Sequence, residues 1–166
     1  MQTKVFEVIA DNTSGVLSRI SGLFTRRGYN IDSITAGVTA DPKYSRITIV
    51  TNGEAEVLEQ IEKQVAKLID VRVVMELVPD DSVYRELALI KVRATAEERP
   101  SIIAITDIFR GKIVDVAHEC LIIEITGGNT KIDKFLELLE GHEILELART
   151  GVAGLSRGID KVVNLP

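Results

Sequence analysis

Thr3-Lys4-Val5-Phe6-Glu7-Val8-Ile9-Ala10, running straight into Asp11-Asn12-Thr13-Ser14-Gly15 and then Val16-Leu17-Ser18-Arg19-Ile20-Ser21-Gly22-Leu23-Phe24, sets how the rest of the chain is read. The first eight residues alternate well enough for a half-buried strand, with Phe6, Val8 and Ala10 on one side. From Val16 the apolar positions change period, and Val16, Ile20, Leu23 and Phe24 recur at helical spacing. The five polar residues between them read as a strand-to-helix turn. Thr13 or Ser14 can cap the first helical turn, and Gly15 lets the backbone approach closely whatever sits there. Free N–H groups at such a helix start suit a carboxylate, and the Asn12 amide can serve an ammonium or a second oxygen.

Working outward, Gly28 stops the helix, and a strand is expected over 30–39 with Ile34, Ala36 and Val38 on one face. Asp41-Pro42-Lys43 reads as a turn. A strand over 45–51 carries Ile47 and Ile49 inward. A helix over 54–68 follows on Val57, Leu58, Ile61, Val65 and Leu68, and a strand over 71–77 closes the series. The order β-α-β-β-α-β is that of a ferredoxin-like unit, an antiparallel sheet with two helices on one face. Pro79-Asp80-Asp81-Ser82 is polar and punctuated, a natural boundary.

The series then returns. A long strand over 84–95 precedes a helix on Ile102, Ile105 and Phe109. A hairpin over 112–117 and 121–126, a helix over 129–139 and a strand over 143–150 complete it. The chain is therefore expected to be α+β, with a first domain over 1–78, a linker over 79–83, a second domain over 84–158 and a tail over 159–166. Each sheet has a second face bare of helices. In the first unit that face is expected to carry Val5, Ile9, Val50 and Val74. An exposed patch of that kind is a liability unless another layer covers it, so a homodimer is expected.

Composition narrows the class. Hydrophobic residues make up 45% of the 166, aromatic residues only 4%, and there is no Trp, so the core is built of Ile, Val and Leu. A net charge of -5 gives no reason to expect nucleic acid or an acidic membrane surface as partner. Nothing in the chain reads as a leader or a membrane span, and a single cysteine, Cys120, excludes an internal disulfide framework. A cytoplasmic protein is the simplest expectation.

Catalytic constellations are thin. His118, His142 and Cys120 have neither the number nor the spacing of a tetrahedral metal site. No catalytic residue and no metal or cofactor ligand is assigned. Gly127-Gly128-Asn129-Thr130-Lys131 lacks the glycine spacing and the Gly-Lys-Ser/Thr ending of a phosphate loop and reads as a plain turn. Glu97-Glu98-Arg99-Pro100 takes in the second unit the place of Asp11 to Gly15 in the first. It offers neither the Asn nor the Gly, and its acidic pair would repel a carboxylate. Gly151 to Gly158 reads as either a flexible tail or a segment ordered against a partner.

Three blocks carry a family resemblance. They are Asp11 to Arg19 continuing through Leu23 to Ile31, Ile108 to Val116, and Ala148 to Gly158. Together they closely resemble the small regulatory subunit of acetolactate synthase (acetohydroxyacid synthase), over nearly the whole chain. The resemblance implies an N-terminal ACT domain followed by a second ACT-like domain, and a non-catalytic subunit. It implies a homodimer, a large catalytic subunit as partner, and valine or another branched-chain amino acid as a feedback inhibitor bound between two regulatory chains. Thiamine diphosphate, Mg²⁺ and FAD are expected in the large subunit and none in this chain. Carried over, the effector loop falls on Asn12, Gly15, Val16 and Leu17, and a second contact region on Asn30 and Ile31. A free-standing amino-acid-sensing module of the same kind, acting on a different partner, is the alternative. A small enzyme and a purely structural assembly protein are the readings from other classes.

Overall fold

A computed structural model describes residues 2–159 of the chain. Two compact units emerge among the described residues, one running to Tyr84 and rejoined by residues 152–159, the other spanning Arg85–Gly151. The segment 152–158, expected with the second unit, thus belongs with the first. Residues 160–166 of the expected tail lie outside the described residues.

Unit 1 contains β1 (Gln2–Asp11), α1 (Val16–Arg27), β2 (Ser33–Val38), β3 (Tyr44–Gly53), α2 (Ala55–Val65) and β4 (Val71–Glu76). The strands form an antiparallel sheet in the order β2-β3-β1-β4. Phe6, Val8 and Ala10 of β1 and Ile47 and Ile49 of β3 point to the helix side, where they meet Val16, Ile20, Leu23 and Phe24 of α1 and Leu58, Ile61 and Val65 of α2. Burying each large aliphatic side chain in this way stabilises the unit by about 1.5–3 kcal/mol. Gly28 ends α1 in the left-handed region at φ 68°, and the N–H groups of Gly28 and Tyr29 return to the carbonyls of Thr25 and Phe24.

The second unit repeats the plan. The strand β5 (Ser82–Arg93) leads into α3 (Arg99–Ile108), β6 (Lys112–Val116), β7 (Cys120–Gly127), α4 (Asn129–Leu138) and β8 (Ile144–Arg149), with the order β6-β7-β5-β8. Ala88, Ile90, Val92, Leu121, Ile123 and Ile125 pack on Ile102, Ile132, Phe135 and Leu139. Two ferredoxin-like units are therefore present, as the periodicity predicts. Details repeat as well. Each last strand carries an irregularity at the same place, opposite Ile9/Ala10 in unit 1 and Lys91/Val92 in unit 2. At the other end of the same strand, Lys4 pairs with Glu76 at 2.6 Å in unit 1, and Glu86 with Arg149 at 2.7 Å in unit 2, the same bridge with the charges exchanged.

That irregularity corrects one expectation. Ile9 pairs with Val73 and Ala10 with Val71, so Arg72 is the extra residue and the strand's alternation reverses across it. Val74 therefore stands opposite Val8 on the helix side and packs against the core, not on the bare face. On that bare face of unit 1, Ile9 and Val50 are buried, and so are Glu7, ion-paired with Arg46, and Thr48. On the same face of unit 2, Leu89, Lys91 and Ile122 line a shallow hollow of about 540 Å³ with Glu146, Leu147 and Ala148.

The glycine-rich segment is neither of the two things expected. It forms β9 (Ala153–Ser156), which pairs with β5, and the Arg157 N–H donates to the Asp81 carbonyl at 2.8 Å. A Cβ on Gly154 would stand 2.8 Å from Leu77 Cδ1 and 3.0 Å from Tyr84 Cδ1, so the close approach needs glycine. The chain thus returns to unit 1 after completing unit 2. Among the described residues no helix is long and apolar enough to cross a membrane.

Candidate functional site

The turn between β1 and α1 is held open by backbone geometry. Gly15 is the N-cap of α1 with φ 87° and ψ -7°, a left-handed conformation that a residue with a side chain adopts only at a cost of about 1–2 kcal/mol. Neither Thr13 nor Ser14 caps the helix, contrary to expectation, because no side chain bonds to its first N–H groups. The first-turn amides of Gly15, Val16 and Leu17 have no acceptor inside the helix, and the macrodipole favours a negative charge in front of them.

Asn12 fixes the other side of the turn. Its backbone N–H donates to the Lys43 carbonyl at 2.7 Å and its Nδ2 to the Pro42 carbonyl at 2.9 Å, while its Oδ1 accepts from Ser45 Oγ at 3.0 Å. The turn and the β2–β3 loop are stitched together by this one residue. Two ion pairs flank it, Asp11 with Arg72 and Arg19 with Asp70. The hydrogen bond from Arg72 holds the Asp11 carboxyl below its ordinary value of 3.8. The Arg19 guanidinium leans over the turn, with Nη1 3.0 Å from where a Gly15 Cβ would be.

Between these parts lies a cavity of about 240 Å³ lined by residues 11–17, Ala36, Ser45 and Ile47. That is below the roughly 300–1,000 Å³ of pockets for drug-sized molecules, so it is scaled to a smaller ligand. One wall offers helix-start amides, and another is apolar, from Val16, Ala36 and Ile47. Asn12, Gly15, Val16 and Leu17, which the resemblance assigns to an effector loop, all line this cavity. Ala36 was legible as part of an inward strand face. Ser45 and Ile47 carry no sequence signal for a site, since only the pairing of β3 with β2 and β1 sets them beside the turn.

Asn30 and Ile31 are not in this cavity. They follow the opposite end of α1, whose 12 residues separate the two regions by roughly 18 Å at 1.5 Å per residue. Ile31 packs against the unit 1 core. The Asn30 Nδ2 donates to Asp32 Oδ1 at 2.7 Å, and its carbonyl accepts from Thr51 Oγ1 at 2.6 Å. Between the two regions runs the edge strand β2, and beside it Leu17, Ile34 and Val38 stand 47%, 38% and 61% exposed. β2 is the edge strand of the sheet, and these apolar residues along it stay exposed.

The corresponding turn of unit 2 is filled from within. The Thr95 N–H donates to Glu98 Oε2 at 3.0 Å, and the Glu98 N–H donates back to Thr95 Oγ1 at 3.3 Å. This reciprocal pair is a capping box. The hydrogen bond donated by the Thr95 N–H is the largest of the effects that hold the Glu98 carboxyl below its ordinary value. Arg99 reaches the β6–β7 loop, donating to the carbonyls of Ala117 and His118. At the start of α4, Lys131 Nζ folds back onto the Thr126 carbonyl at 2.9 Å, which agrees with a plain turn. Cys120 is half-buried at the start of β7. Among the described residues no group of three or more His, Cys, Asp or Glu side chains is placed to hold a metal ion.

Comparison with known proteins agrees with this layout. Residues 6–73 match the AHAS small subunit-like ACT domain, and residues 85–158 match the small subunit of acetolactate synthase. The chain is 47% identical over 161 residues to the acetolactate synthase isozyme 3 small subunit of Salmonella typhimurium, covering 96% of this chain and 98% of that one. It is 48% identical over 156 residues to the acetolactate synthase small subunit of Mycolicibacterium smegmatis, covering 94% and 92%. The crystal structure of the acetolactate synthase small subunit from Thermotoga maritima superposes with a TM-score of 0.87 at 41% identity, covering 96% of this chain and 99% of that one. With such coverage of both units, the chain belongs to the acetolactate synthase small-subunit family, built on an ACT domain and a second domain of the same plan.

Proposed function

We propose that this chain activates a large, thiamine-diphosphate-dependent catalytic subunit and makes it responsive to a branched-chain amino acid. The single observation that carries the reading is the small cavity at the β1–α1 turn, with helix-start amides on one side and Val16, Ala36 and Ile47 on another. An amino acid is a carboxylate, an ammonium and a side chain, and the cavity offers something to the first and the last. The carboxylate would take the N–H groups of Gly15, Val16 and Leu17. Asn12 already accepts through Oδ1 and donates one of its two N–H bonds, so its remaining N–H suits the carboxylate better than its oxygen suits the ammonium. The branched side chain would lie on the apolar wall.

The ammonium then needs an acceptor from elsewhere. Asn30 and Ile31 lie at the far end of α1 in the same chain, so in this reading a second copy brings them to the cavity. The uncovered strip of Leu17, Ile34 and Val38 gives that copy an apolar surface to bury. An effector gripped by two chains favours whichever dimer arrangement closes on it. That preference is what feedback inhibition requires, because a ligand shifts an equilibrium only by its differential affinity. The large subunit, holding thiamine diphosphate, Mg²⁺ and FAD, would carry the chemistry in the cytoplasm. Its products would be 2-acetolactate or 2-aceto-2-hydroxybutyrate. One methylene is worth only about 1–3 kcal/mol in a pocket of this kind, so valine, leucine and isoleucine are all tested.

Titration calorimetry of the purified chain with each of the three is expected to give saturable binding, and its absence for all three would overturn the effector site. In complex with the large subunit, Gly15→Asp is expected to keep activation but lose inhibition, because a carboxylate would occupy the effector's own place. Retained inhibition would contradict the assignment.

A further inference from the structure

A second network at the far end of α1 makes one carboxylate the organiser of two amides. Asp32 Oδ1 accepts from Asn30 Nδ2 at 2.7 Å, and Asn52 Nδ2 donates to both Asp32 oxygens, at 3.1 Å and 2.8 Å. The backbone beneath is pinned to β3, since the Asp32 N–H donates to the Val50 carbonyl at 2.8 Å and the Asn30 carbonyl accepts from Thr51 Oγ1. An asparagine amide has a donor end and an acceptor end of nearly equal size, so an unconstrained one can present either. An ionised carboxylate only accepts. Beside Asp32, Asn30 must therefore direct its nitrogen at the carboxylate, which leaves Oδ1 as the end it offers to another group.

We propose that Asp32, supported by Asn52, is a positioning residue that fixes the Asn30 amide with its oxygen toward the effector's ammonium. The proposal rests on the reading in which Asn30 of a second copy borders the cavity. It adds the group that makes the site select an α-amino acid over a plain branched carboxylic acid. Asp32 touches no effector atom in this account and acts through Asn30. Replacing it by asparagine would let both amides turn, so that an N–H could face the ammonium as often as an oxygen does.

The test compares each of valine, leucine and isoleucine with its desamino acid, for example valine with 3-methylbutanoate, which keeps the isopropyl group and the carboxylate. Binding to the full chain is measured for wild type, Asp32→Asn, Asp32→Glu and Asn52→Ala. Wild type is expected to prefer the amino acid. Asp32→Asn is expected to weaken the amino acid about tenfold and the desamino acid not at all, as loss of a hydrogen bond to a charged group would. Asp32→Glu should recover part of the preference, and Asn52→Ala should lose a smaller part. The loss should persist in 1 M salt, where screening removes a mere long-range attraction. An unchanged preference in Asp32→Asn, or an equal loss for both ligands, overturns this inference alone. Wild-type protein that binds neither ligand overturns the effector reading and this one with it.

Discussion

The turn before α1 and the turn before α3 occupy the same place in two copies of one fold, yet they finish differently. In the first, Asn12 reaches across to the carbonyls of Lys43 and Pro42, Gly15 takes a left-handed backbone, and the helix-start amides face a cavity. In the second, Arg99 reaches across to the equivalent loop, and Glu98 brings its own carboxylate to the backbone of Thr95. Both turns are tied to the neighbouring hairpin by one donating side chain. One leaves its helix-start amides without a side-chain cap, and the other closes its turn with its own side chains. The same fold thus accommodates an open turn and a closed one, through a Thr-x-x-Glu sequence and the absence of one glycine.

The largest test asks whether the two cores are equivalent. Phe24 and Phe135 are each buried to within 1% exposure, each beneath its own sheet. Phe24→Ala and Phe135→Ala should each cost about 3–5 kcal/mol in urea unfolding, and a cost under 1 kcal/mol at either position would show that the cores are not alike.

A smaller effect should separate the units at the return strand, which serves unit 1. Gly154→Val would drive a side chain into Leu77 and Tyr84, and thermal unfolding should register about 1–3 kcal/mol of destabilisation. Glycine at 128, with open space around its missing Cβ, gives the contrast. There, Gly128→Ala should cost less than half as much.

The caps differ by less still. Glu98→Ala should lose about 1 kcal/mol, because it removes the carboxylate that closes the capping box, whereas Thr13→Ala and Ser14→Ala should be close to neutral. Equal losses at the two turns would remove the distinction drawn between them.

The smallest effect is in acid. Asp11 is held below its ordinary value first by the hydrogen bond from Arg72, and Glu98 first by the Thr95 backbone N–H. A carboxyl whose pKa is lower folded than unfolded stabilises the fold above the unfolded value and ceases to do so as pH falls through the folded one. Stability should therefore be flat above about pH 5 and decline below the ordinary values of 3.8 and 4.5. Following both carboxyl resonances by NMR, Arg72→Ala should return Asp11 toward its ordinary value and leave Glu98 where it is.

Much of this was legible along the chain. The change from alternation to helical spacing at Val16, the stop at Gly28, the polar boundary after Leu77 and the repeat of the whole series all follow from periodicities that burial imposes on a local segment. Asn12 and Gly15 were legible for the same reason, since a turn's chemistry is local. What escaped was of another kind. The extra residue at Arg72 reverses which face Val74 takes, and only pairing with β1 reveals it. The hydrogen bonds that commit Asn12 to Pro42 and Ser45 join residues 30 and more positions apart. The resemblance assigns Asn30 and Ile31 to a second contact region, and only the structure shows that the 12 residues of α1 separate them from Asn12 within one chain.

By itself, the sequence determined the elements, the duplicated βαββαβ plan and the open glycine turn, because hydrophobic period and backbone permissiveness act within a few residues of each other. Tertiary structure alone decided that residues 152–158 return to the first unit, that Ala36, Ser45 and Ile47 wall the cavity, and that Glu98 closes the second turn. Strand register and chain return depend on which distant surfaces satisfy one another's hydrogen bonds and apolar area, and no local pattern records that choice.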